Sequence, residues 1–306
     1  MNQKRILIIG AGFLGRALAG ALNQFGHYVT VLSPNVESSQ NSGKPTFLRG
    51  RQEDQKTVET LLCDHATVIH SAWGTTPASS TSHPSVELET GLAPCCGFLE
   101  SLRLYPSVRL LFLSSGGTVY GNPERLPVTE NAPLRPLSCH GAGKVAAEVF
   151  LSTLGFGHPA RSVVLRPSNI YGPGQPYRRG FGVLRHLLQC AVERKPFALC
   201  GDGSQVRDYL YVNDFVDAVV RLIEHDNLSG TYNLGSGFGT SLNELIALVE
   251  HTTGHAIRIE PHPLREGDVG QIVLDTNKIR QATGWAPSTA LSDGVRQTWH
   301  WIRENV

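Results

Sequence analysis

Five short apolar runs mark the first part of the chain: Arg5–Gly10 (RILIIG), Tyr28–Ser33 (YVTVLS), Thr67–Ala72 (TVIHSA), Val108–Ser115 (VRLLFLSS) and Arg161–Pro167 (RSVVLRP). They carry Val, Ile and Leu on both faces, the pattern of strands covered from both sides. Between them lie Phe13–Phe25, Ser85–Leu104 and Ser138–Leu154, where apolar residues recur at helical spacing. Strands alternating with helix-length segments predict an α/β architecture, a doubly wound parallel sheet with helices on both faces.

Beyond Pro167 the texture changes. NIYGPGQPYRRG (Asn169–Gly180) concentrates Gly, Pro and Arg, as a loop lining a site does. Helical spacing returns at Phe181–Glu193, Asn213–His225, Leu242–Thr252 and Leu291–Arg303, with short strand candidates between them. At roughly 150 residues per domain, the 306 residues divide into a first domain over 1–167 and a smaller C-terminal α/β lobe over 168–306. The segment 208–228 is placed to pack back on the first domain.

The 27 Lys and Arg against 26 Asp and Glu leave a formal net charge of +1, which argues against the basic excess of a nucleic-acid binder. No stretch reaches the roughly 20 apolar residues of a membrane span. The N-terminal run Ile6–Ile9 is shorter than a signal-peptide core of about 7–15 residues. A cytoplasmic protein with no membrane or nucleic-acid partner is expected. Cys63, Cys95, Cys96, Cys139, Cys190 and Cys200 form no C-x-x-C pair and no His/Cys cluster at zinc spacing, so free thiols and no metal are expected.

The first strand candidate runs into GAGFLG (Gly10–Gly15), a G-x-G-x-x-G pattern that opens an Ala/Leu-rich helix. In that setting Gly10 permits the tight turn, Gly12 lets backbone approach a pyrophosphate, and Gly15 lets helix and strand pack closely. A Rossmann-like dinucleotide site follows, with Gly10, Gly12, Phe13, Leu14, Gly15, Ser33 and Ala72 as its candidate residues. Selectivity for NAD usually rests on Asp or Glu at the end of the second strand. Here that place holds Ser33, and no Arg or Lys follows before Lys44. NAD is the expected cofactor, with NADP left open.

With this turn and LSSGGTVYG (Leu113–Gly121), the chain resembles the extended short-chain dehydrogenase/reductases. It is most similar to their sugar-nucleotide epimerase/dehydratase branch, typified by UDP-glucose 4-epimerase. LRPSNIYGPGQ (Leu165–Gln175), GDGSQVRDYLYVND (Gly201–Asp214), NLGSG (Asn233–Gly237), REGD (Arg265–Asp268) and TGWAP (Thr283–Pro287) extend the likeness over roughly residues 4–304. The resemblance implies a sugar hydroxyl oxidised transiently with tightly bound NAD, and a nucleoside diphosphate sugar, UDP-linked, as substrate. It implies that Asn169 contacts the diphosphate region, that Arg207 and Arg265 hold the phosphates, and that Asp268 lies beside the nucleotide ribose. Guanidinium forks suit phosphate oxygens. It also implies a homodimer, built by pairing Ser85–Leu104 and Ser138–Leu154 across a two-fold axis.

The departures cluster on the cofactor and catalytic half. Where the family has Tyr-x-x-x-Lys, this chain has His140 and Lys144, still on one helix face. The family's Ser or Thr that polarises the sugar oxygen falls at Gly116, leaving Thr118 and Ser115 as hydroxyl donors. Gly91 stands in for an Asn, Arg51 for an adenine-side Asp, and Trp73 for a small residue. Unperturbed imidazole has a pKa near ~6.5, so a neutral ring accepts protons at pH 7. Lys144 pushes that value down, and a rate rising with pH through an imidazole-like ionisation is expected. Two functions stay open. One is an epimerase in which His140 takes the proton, Thr118 bonds the oxygen and Lys144 orients the nicotinamide ribose. The other is a non-catalytic nucleotide-sugar or dinucleotide sensor. The absence of an Asp-Glu pair after GGT (Gly116–Thr118) favours epimerase over dehydratase.

Overall fold

The computed structural model describes residues 3–40, 43–79, 83–153, 162–178, 180–264 and 267–305. The first part runs β1 (Arg5–Ile9), α1 (Phe13–Gln24), β2 (Tyr28–Ser33), β3 (Thr46–Arg49), α2 (Gln55–Leu62) and β4 (Thr67–His70). It continues with α3 (Pro84–Glu87), a π-helical turn (Leu88–Leu92), α4 (Ala93–Leu102), β5 (Arg109–Leu113), α5 (Cys139–Thr153) and β6 (Ser162–Pro167). After β6 come β7 (Asn169–Tyr171), α6 (Val183–Glu193), β8 (Phe197–Cys200), β9 (Val206–Tyr211), α7 (Val212–Glu224), β10 (Gly230–Leu234) and β11 (Gly239–Ser241). The last elements are α8 (Leu242–Thr253), β12 (Ile259–His262), α9 (Asn277–Thr283) and α10 (Leu291–Asn305).

Seven strands form one parallel sheet in the order β10-β6-β5-β4-β1-β2-β3, the doubly wound arrangement that the apolar runs predict. Alternate residues explain its two cores. Ile6 and Ile8 of β1 face α1 and α7, where they meet Leu18, Leu22, Phe215 and Val219. Leu7 and Ile9 face the other side, against Val58, Leu62, Phe98 and Leu102 of α2 and α4. The strand order reverses between β1 and β4, so a crevice opens at their carboxyl ends, where open α/β sheets bind ligands.

The remaining elements form the smaller lobe, with sheets ordered β11-β9-β7 and β12-β8. Its core includes Leu187, Leu188, Leu245, Val249, Val295 and Ile302. The seven-stranded sheet also draws in chain beyond residues 208–228. β10 pairs with β6 from Gly230↔Val163 to Leu234↔Pro167. α9 covers that strand, with Lys278 Nζ donating to the Thr231 carbonyl at 2.7 Å.

The expected helix Ser85–Leu104 is broken into α3, the π turn and α4. Pro94 explains the position of the break, since it has no N–H to give to the Thr90 carbonyl one turn back. That carbonyl instead sits against Gly74, where a Cβ would lie 2.2 Å from its oxygen.

Candidate active site

The turn after β1 is built as a phosphate cradle. Gly10 has φ +105°, and a Cβ there would stand 2.8 Å from both Cα and N of Ala72, at the end of β4. A Cβ on Gly15 would lie 2.0 Å from the Gly10 carbonyl oxygen. Side chains are therefore excluded at both positions. At Gly12, the residue preceding α1, a Cβ would meet nothing within 4 Å, and no side chain caps the helix. The positive end of α1 thus has space before it at Gly12, which fits a pyrophosphate. Phe13 and Leu14 are half-buried, packing towards the lobe core and the sheet core respectively. Ser33 is buried at the end of β2, its Oγ accepting from Asn35 N at 3.4 Å. Arg51 is exposed and paired with Glu53 at 3.2 Å.

Ser138 starts α5, its Oγ accepting the Gly141 N–H at 3.1 Å. This sets His140 in the first turn and Lys144 one turn later, and both are buried. His140 Nδ1 lies 3.0 Å from Thr75 Oγ1, and its ring meets Trp73 edge-on at 6.4 Å. Burial, with Lys144 adding to it, drives the His140 pKa down to about 3, so the ring is neutral as expected. Lys144 is engaged on two sides. Its Nζ donates to the Leu113 carbonyl at 2.7 Å and lies 3.8 Å from the centroid of the Trp73 ring. Its amino group is thus held inside the protein. Burial lowers its pKa to about 7, against the pull of Cys95, Glu87 and Glu148. Trp73, placed where the family has a small residue, roofs the lysine.

Gly116 is also determined locally. A Cβ there would lie 2.7 Å from the Arg166 carbonyl and 2.6 Å from Leu274 Cδ1, so the family's hydroxyl has no room at this backbone. Thr118 remains half-exposed, its hydroxyl weakly engaged with the Ser115 carbonyl at 3.4 Å. Asn169 approaches the same turn, since a Cβ on Gly117 would come 3.8 Å from its Nδ2. That Nδ2 donates to the Asp208 carbonyl at 3.2 Å, joining the catalytic and substrate sides.

Arg207 follows from β9, with Nη1 donating to Val206 and Gly270 carbonyls and Nη2 3.8 Å from Asp268. Arg265 lies outside the described residues. Asp208, which carries no assignment from sequence, is fully buried and ties three segments together. Its carboxylate accepts from the N–H groups of Ser236, Gly237 and Leu274 and from the Ser236 hydroxyl. Burial pushes its pKa up, and those donors oppose the shift. Thr75 and Glu87, both buried beside His140, also carry no sequence signal of their own.

Three comparisons place this geometry among known proteins. Residues 6–235 match the NAD dependent epimerase/dehydratase family. The UDP-glucose 4-epimerase of Mycolicibacterium smegmatis is 32% identical over 308 residues, covering 98% of both chains. The crystal structure of Thermus thermophilus UDP-glucose 4-epimerase in complex with NAD superposes with a TM-score of 0.89 at 32% identity, covering 99% of this chain and 100% of that one. UDP-glucose 4-epimerase of Thermotoga maritima, solved with UDP-glucose, gives the same TM-score at 29% identity, covering 98% and 99%. With three quarters of its length inside the match and relatives that span it end to end, the chain belongs to the NAD dependent epimerase/dehydratase family.

Proposed function

We propose that this protein is a nucleotide-sugar 4-epimerase that binds NAD and uses His140 in place of the usual tyrosine. The observation that carries the reading is the state of His140. It holds the Tyr-x-x-x-Lys position, is buried and neutral, and among the described residues is hydrogen-bonded through Nδ1. Nε2 is left to take the proton of a sugar hydroxyl.

Gly10, Gly12, Phe13, Leu14 and Gly15 would hold the NAD pyrophosphate, with Ala72 against the turn and Ser33 on the adenosine side. Bound there, NAD supplies the hydride acceptor. Thr118 offers its hydroxyl to the sugar oxygen. Arg207 and Asn169 line the diphosphate of a UDP-sugar, with Asp268 holding the guanidinium. The Thermotoga relative, crystallised with UDP-glucose, supports the ligand class. The half-exposed apolar positions on the π turn and α5 support a homodimer.

The roofing of Lys144 by Trp73 favours a second reading, a binding protein of the same fold without turnover. Single-turnover epimerisation of a panel of UDP-sugars separates the two. His140→Ala should lose about 10²–10⁴ of turnover while UDP-sugar affinity survives, and His140→Tyr should retain activity. Turnover unchanged in His140→Ala overturns the assignment of the proton. A wild type that binds UDP-sugars yet turns none over identifies the binding protein.

A further inference from the structure

The departures at residues 73, 91 and 140 converge on one carboxylate. Glu87 is 3% exposed. Its Oε1 accepts from Trp73 Nε1 at 2.9 Å, and its Oε2 accepts the Thr75 hydroxyl. Two glycines wall it in. A Cβ on Gly143 would stand 2.3 Å from Oε1, and one on Gly91 would stand 2.8 Å from Oε1 and 2.9 Å from Trp73 Nε1. This carboxylate is enclosed by α5, the π turn and the loop after β4 together.

With Glu87 taken as a carboxylate, the hydrogen-bond directions follow by counting protons. A threonine hydroxyl has one, and that of Thr75 points to Glu87. Its oxygen therefore faces His140 Nδ1 as an acceptor, and the ring proton sits on Nδ1. Building on the reading of His140 above, we infer that Glu87, acting through Thr75, is a positioning residue that fixes His140 as the Nδ1–H tautomer with Nε2 as the free acceptor. When a sugar O–H bond breaks and an N–H bond forms at Nε2, the ring becomes a cation. Nδ1–H then donates along Thr75 to Glu87, which offsets the burial of that charge. On return of the proton to oxygen, every other hydrogen in the relay is where it began.

Glu87→Gln tests this without changing shape. Trp73 Nε1 fixes the amide oxygen, so the amide nitrogen faces Thr75 and both hydrogen bonds reverse. The hydroxyl then donates to Nδ1, and His140 must carry its proton on Nε2. The readout is ¹⁵N NMR of the histidine rings, with the His140 signals assigned by their loss in His140→Ala. Wild type and Thr75→Ser should show protonated Nδ1, and Glu87→Gln should show protonated Nε2. Thr75→Val, which lacks the hydroxyl, should populate both forms and covers the case in which Glu87→Gln does not fold. An unmoved tautomer in Glu87→Gln or in Thr75→Val overturns the relay. Turnover in Glu87→Gln should fall about 10²–10⁴-fold, with KM within about threefold. A flipped tautomer with unchanged turnover upholds the relay and overturns the catalytic reading of His140.

Discussion

Three buried basic groups, His70, His140 and Lys144, lie side by side at the carboxyl ends of β4 and β5. Burial lowers His70 and His140 to about 3 and Lys144 to about 7, and Lys144 depresses both histidines further. Each folded-state value is below its unfolded one, so the unfolded chain binds the extra protons. For the histidines, stability is fully present above about pH 6.5 and is lost as pH falls from there towards 3. The slope is up to about 1.4 kcal/mol per pH unit for each ring. Urea unfolding at pH 7, 6 and 5 should show this decline, and His140→Phe should make it shallower. Identical slopes in the two proteins would contradict the burial argument. The same shift changes the pH dependence to be expected of turnover. The His140 step is displaced to below pH 5, so activity should show no imidazole rise between pH 5.5 and 9. Lys144, lowered to about 7, loses its charge across that range as pH rises.

At the scale of elements, the π turn and the start of α5 form one packed unit around Glu87. Gly143→Ala would drive a methyl group into the carboxylate and should destabilise the protein by about 1–3 kcal/mol, with a shift in Trp73 fluorescence. Gly20→Ala, in α1 where a Cβ meets nothing within 4 Å, should instead stabilise by roughly 0.5–1 kcal/mol. Thermal unfolding of the two variants checks the opposite signs. The same unit shows what a one-dimensional pattern can and cannot reveal. Strands β1, β2, β4, β5 and β6 were legible because strands covered on both faces leave dense apolar runs. β3, with four residues ending in Arg49, and β10, reading GTYNL, have too few core-facing positions to stand out. His140 stands out in the sequence because its spacing to Lys144 matches Tyr-x-x-x-Lys. Thr75 lies in a Gly/Pro/Ser-rich loop and Glu87 in a broken helix, so only the fold brings them to His140. The available signal was indirect: an acid on an apolar helix, with glycines at 91 and 143 where helices seldom have them.

Over the whole molecule, the surface of the π turn and α5 exposes large apolar side chains. Leu88, Val149 and Phe150 are 55%, 50% and 41% exposed, and Leu88 and Phe150 line a hollow with Leu92, Ala93 and Cys96, rimmed by Glu89 and Glu100. A two-fold pairing of these faces would bury them as the core of a patch. Light scattering should give about twice the chain mass of 33.2 kDa, and Phe150→Glu should halve it. A concentration-independent monomer in the wild type would refute the pairing. Strand β10 has a different consequence, one of timing. During synthesis β6 leaves the ribosome as the unprotected rim of a growing sheet, and its neighbour is made only after β7 to β9 and their helices. Until Leu234 emerges, that rim offers a row of unsatisfied amides and carbonyls to any passing strand. A shortened chain ending at residue 167 would keep the rim for good, and should therefore accumulate as inclusion bodies rather than as a working nucleotide-binding domain.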